Sequence, residues 1–241
     1  LLNTRYKPIL DREVGNHKLH KNCLVACAGN RTIDNAVAYE LGTASQSRMV
    51  HFELKSDLDG WVVHAQNMNW DRRIIDFVQW KGMKLLNNFD PAHQDYTFAC
   101  ERTWEFVHKL ISQKGFENAI PMDKLPILVG TVGQGVAVEF QAYTQIYAGL
   151  VSFADILANP HNVVIDTSRP DIIFALTGRV IENATPANIG NLMPFIARLP
   201  SEFQVLTMQP IMQKNPSVLS DKQVSQWVSV NAQRLMGSGT P

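Results

Sequence analysis

The sequence predicts an α/β segment over residues 1–55 followed by a helical body, divided into 56–150 and 151–241. Three observations carry that reading. The unbroken apolar run Cys23-Leu24-Val25-Ala26-Cys27-Ala28 stops at Gly29-Asn30-Arg31, which is the pattern of a short strand buried on both faces of a parallel sheet. The alternating run Val50-His51-Phe52-Glu53-Leu54 reads as a second strand. Beyond residue 56, apolar positions recur at helical spacing between repeated cap and stop signals.

Taken in order, residues 7–20 are polar, with Gly15-Asn16 as a turn. The 23–28 strand follows, and Asp34 then caps a short helix to Glu40-Leu41 that Gly42 closes. The strand 50–54 ends the segment. Cys23 and Cys27 share a face of the first strand but stand about 13 Å apart at the usual rise, too far to bridge. They read as small core residues.

In the helical body, Ser56-Asp57-Leu58-Asp59 is a capping-box-like start before Trp61, Val62 and Ala65. Asp71 opens a helix through Ile74, Ile75 and Val78 that Gly82 closes. A loop over 87–99 containing Asp90-Pro91 leads to a helix that Arg102 opens, with apolar positions at Phe106, Val107, Leu110 and Ile111, and Gly115 ends it. After Pro126 a glycine-spaced stretch leads into a helix over about 136–147. Further helices start at Ser152, Ser168-Arg169-Pro170-Asp171, Thr185-Pro186, Ser201 and Ser220-Asp221, the last ending at Gly237. Pro194 and Pro210 fall inside two of these patterns and are expected to kink or split them. The closing Gly-Ser-Gly-Thr-Pro is expected to be disordered.

Composition narrows the function. Lys+Arg and Asp+Glu number 22 each, so the formal net charge is zero and the basic footprint of a general nucleic-acid binder is missing. No apolar run approaches the roughly 18–20 residues that span a bilayer, and no signal-peptide pattern opens the chain. Three cysteines without C-x-x-C fit a reducing compartment, so the expected location is the cytoplasm. His17, His20 and Cys23 are spaced by three, yet a zinc site needs four ligands and no complementary pair exists; no metal site is expected there. Gly130, Gly133 and Gly135 lack the Lys of a phosphate loop and read as close helix packing. Trp61, Trp70, Trp80 and Trp104 read as core of the helical body rather than a base-stacking platform.

In open α/β sheets, ligands bind beyond the carboxyl ends of strands, where Asn30 would sit. Arg48 lies just before the second strand, and Arg102 opens a later helix in Glu101-Arg102-Thr103-Trp104-Glu105-Phe106. This order, with Ala28-Gly29-Asn30-Arg31-Thr32-Ile33-Asp34-Asn35-Ala36, Glu40-Leu41-Gly42-Thr43-Ala44, Arg48-Met49-Val50-His51-Phe52 and Val129-Gly130-Thr131-Val132-Gly133, resembles an AAA+ ATPase of the MoxR type. The likeness weakens after about Leu150. It implies that residues 1–55 are the end of an AAA+ P-loop NTPase α/β core, 56–150 its helical lid and 151–241 a helical extension. It further implies Asn30 as sensor 1, Arg48 as the arginine finger and Arg102 as sensor 2, with Asn30 and Arg102 facing the nucleotide. The family usually has Pro before the sensor-2 Arg; Glu101 stands there instead, either holding Arg102 in a resting position or turned to solvent. Arg31 would either face phosphate beside Asn30 or make a surface salt bridge.

ATP and Mg2+ are the implied cofactors, and a hexameric ring, with a von Willebrand A-domain protein as a possible partner, the implied assembly. However, the sequence holds no G-x-x-x-x-G-K-[ST] and no apolar run ending in Asp-Glu. In the family both precede the sensor-1 strand, and here 22 residues precede Cys23. The expectation is the C-terminal part of a longer ATPase, inactive by itself; the alternatives are natural loss of the nucleotide site and a non-enzymatic helical adaptor.

Overall fold

A helix satisfies its backbone groups from its own turns, whereas a strand needs a neighbour, and the chain divides along that line. The computed structural model describes residues 6–30, 43–93 and 95–237. They fall into two units, one of residues 1–55 with 90–94 and one of 56–89 with 95–241.

In the first unit, α1 (Tyr6–Leu10) precedes a minimal hairpin of β1 (Glu13–Val14) and β2 (His17–Lys18), and α2 (Thr43–Gln46) follows. Glu13 pairs with Lys18 and Val14 with His17 across the Gly15-Asn16 turn. The turn was legible; the strands it joins were not. The strands expected at 23–28 and 50–54 are not formed, and both stretches lack regular structure. Leu24 is 92% exposed, Phe52 83% and Leu54 94%. Cys23 and Cys27 are exposed as well, not core. The reason is pairing: a strand buried on both faces needs neighbours on both edges, and among the described residues the only ladder is β1–β2. The α/β sheet expected of residues 1–55 is therefore not present among them. The helix expected from Asp34 to Leu41, Arg31 and residues 238–241 lie outside the described residues.

The second unit is helical: α3 (Leu58–Asn67), α4 (Arg72–Lys81), α5 (Met83–Leu86), α6 (Glu101–Ile111), α7 (Leu125–Val132), α8 (Gln134–Ala148), α9 (Phe153–Ala158), α10 (Pro170–Asn183), α11 (Ile189–Ile196), α12 (Ser201–Lys214) and α13 (Lys222–Gly237). Local chemistry sets many of the ends. Asp57, not Ser56, caps α3 by accepting from the Gly60 N–H at 2.9 Å. Asp71 caps α4 through the Arg73 N–H at 3.0 Å, Ser152 caps α9 through Asp155, and Asp221 accepts from Gln223 at the start of α13. Gly133 separates α7 from α8 at φ +85°, a conformation that favours glycine. A Cβ at Gly130 or Gly135 would meet open space, so close packing does not explain those two glycines. Residues 185–188 form a turn rather than helix, and α11 starts after Asn188. Neither Pro194 nor Pro210 splits its helix. The buried neighbours Met193, Phe195, Met208 and Ile211 offset the lost backbone bonds.

Two apolar clusters hold this unit together. One joins α3 through α8 around Trp61, Trp70, Phe77, Trp104, Phe140 and Tyr143. The other joins α9 through α13 around Ile173, Leu192, Phe195, Met208 and Trp227. Leu150 packs against both, and Ala175 of α10 belongs to the first. Trp61, Trp70 and Trp104 are core, as the sequence predicts, whereas Trp80 is half-buried and packs against it.

Candidate functional site

Asn30 and Arg48 lie in the first unit and Arg102 in the second. Asn30 is exposed, in a stretch without regular structure that follows Cys23. The stretch is tied back at its start, where the Cys23 carbonyl accepts from the Arg12 guanidinium and the Cys23 N–H donates to the His20 carbonyl at 2.9 Å. Arg48 is exposed in the turn after α2, and the His51 ring donates to the Gln46 carbonyl at 2.9 Å just beyond it.

Arg102 has the better-defined setting. The start of α6 is closed by the Cys100 N–H donating to Thr103 Oγ1 at 2.8 Å, while that hydroxyl donates to the Cys100 carbonyl at 3.0 Å. Trp104 fixes the helix rotation: it is wholly buried, and its indole N–H donates to the Leu85 carbonyl at 2.8 Å. Its ring lies 5.9 Å from Phe77 and 5.5 Å from Phe140. With Trp104, Val107 and Ile111 inward, positions 102, 106 and 109 share the outer face. Phe106, expected inside, is 46% exposed for that reason.

The acids beside Arg102 are engaged elsewhere. Glu101 accepts from Asn87 Nδ2 at 3.3 Å, and the same amide donates to Ser56 Oγ at 3.0 Å. Glu105 pairs with Lys109 at 2.6 Å, which holds its carboxyl below the usual range. Among the described residues Arg102 makes no ion pair, so its guanidinium is open to an anion. Glu101 thus makes no ion pair with Arg102 among the described residues; half-buried, it meets Asn87 instead. Asn87 was the residue missed, because its partner stands 14 positions away.

Among the described residues no group of three or more His, Cys, Asp or Glu side chains could hold a metal ion. None of their helices is long and apolar enough to cross a membrane. Comparison with protein-family models, with curated proteins and with solved structures returns no match in any of the three.

Proposed function

We propose that the chain is part of a MoxR-like AAA+ ATPase that couples ATP hydrolysis to the remodelling or activation of a partner protein. The observation that carries this is Arg102: an exposed arginine with no ion pair among the described residues, in the first turn of an anchored amphipathic helix and third in an ordered set after Asn30 and Arg48. Hydrolysis spreads negative charge over the terminal phosphoryl oxygens, so positioning and charge stabilisation dominate catalysis. The Asn30 amide, both donor and acceptor, orients the attacking water. Arg48 enters the neighbouring subunit's site in a ring, expected to be a hexamer, and stabilises developing charge. Arg102 binds the phosphates of its own subunit and couples them to the helical body. Such an enzyme also needs a phosphate loop and Mg2+ ligands, neither of which this sequence contains. A von Willebrand A-domain protein is the partner this reading suggests.

The test uses the full-length product of the gene encoding this chain. Arg48→Ala should lower ATP turnover by about 10³–10⁵ with nucleotide affinity nearly intact. Mixing it with subunits defective in the phosphate loop should restore part of the turnover. Arg102→Ala should instead weaken nucleotide binding. A full-length protein with neither a phosphate loop nor ATP turnover would favour the helical adaptor.

A further inference from the structure

Asp76 of α4 is wholly buried against α10. Its Oδ1 accepts from Arg72 Nε and from a terminal Arg72 nitrogen, both at 2.6 Å, contacts made within α4 and not across the seam, which Oδ1 accepts whether or not Oδ2 carries a proton. Its Oδ2 has no protein donor. That oxygen lies in a notch left by Gly178 of α10, where a Cβ would come within 1.6 Å of it. The groups facing Asp76 are Arg72 of α4 and Asp71 at its cap, Tyr143 and Tyr147 from α8, and Glu182 from α10. The Tyr143 and Tyr147 hydroxyls are themselves buried without partners, so neither donates to Oδ2.

Donors on its oxygens favour the ionised form of a carboxylate out of water, and here one oxygen has none. We propose that the α4–α10 seam is a proton-controlled latch: it closes over Asp76 when Oδ2 is protonated and loosens when Asp76 is ionised, because the charge is then buried against Gly178 with no donor on that oxygen. Desolvation, reinforced by the Glu182 and Asp71 carboxylates, outweighs the Arg72 charge and raises Asp76 to about 7. An opened seam would return the group towards its ordinary value of 3.8. The closed seam therefore binds the proton more tightly, and its stability is complete below the ordinary value and is lost as pH rises through about 7. The latch needs no nucleotide and stands apart from the proposed ATPase.

Hydrogen exchange of the whole chain, corrected for the intrinsic rate at each pH, tests it on peptides covering 170–183. Opening of α10 should rise by up to about tenfold per pH unit between pH 5 and 7 and level off above. Asp76→Asn, neutral at every pH, should abolish that slope. A flat wild-type profile, or the same slope in Asp76→Asn, overturns the proposal. If Asp76→Asn does not fold, a carboxyl-carbon NMR titration of the wild type decides. An aspartate titrating near pH 7 together with the α10 amides supports the latch, and no aspartate titrating above about pH 5 overturns it.

Discussion

The two units treat their apolar residues in opposite ways. In the first, Leu24, Val50, Phe52 and Leu54 are exposed along stretches without regular structure. In the second, Trp104, Phe77, Phe140 and Phe195 are wholly buried among helices. Both regions are apolar enough to fold, so hydrophobicity does not separate them; the source of backbone hydrogen bonds does. An amphipathic helix brings its own bonds and needs only a face to bury. A strand candidate brings one edge and waits for another strand. Segments 23–28 and 50–54 have sheet patterning without a sheet.

The largest effect should come from substituting one side of this contrast against the other. Trp104→Ala removes a buried ring and its bond to Leu85, and should cost about 3–5 kcal/mol in denaturant unfolding. Phe52→Ala should change stability by less than about 0.5 kcal/mol. A comparable cost at Phe52 would break the comparison, because it would mean that the segment is covered in solution.

Glycines sharpen it within the helical unit. Gly178→Ala pushes a methyl into Asp76 and should destabilise by about 1–3 kcal/mol. Gly130→Ala meets open space inside α7 and should stabilise by about 0.5–1 kcal/mol. Thermal unfolding of the two variants should move in opposite directions.

The smallest effect concerns His108, stacked on Trp70 at 5.6 Å with Nδ1 accepting the Asp71 N–H at 3.1 Å. Burial lowers its affinity for a proton below that of an ordinary histidine. The fold therefore favours the neutral ring, and this contribution to stability, intact above about pH 6.5, shrinks as pH falls below it. NMR titration of the ring should give a midpoint below 6.5, the ordinary value. A midpoint above it would mean that the Asp71 charge prevails over burial.

Much of the helical unit could be read from the sequence because capping is local. Asp71, Ser152 and Asp221 each meet N–H groups two or three residues ahead, and Gly82 follows α4 directly. Arg102 at the start of α6 follows from the same logic, whereas its freedom from Glu101 does not, since Asn87 is brought there by the packing of α5. Asn30 and Arg48 were read from motif order, and the sheet meant to carry them is a non-local object that the pattern alone could not assemble. Where most of the longer helices begin, and many of the residues they bury, could be read from the chain, although Phe106 turns outward. That segments 23–28 and 50–54 form no strand, that helices run through Pro194 and Pro210, and that Asp76 meets a glycine on α10 emerge only with the folded chain. Caps and periodicity act within a turn or two of chain, while pairing, burial and close approach depend on residues that only folding brings near.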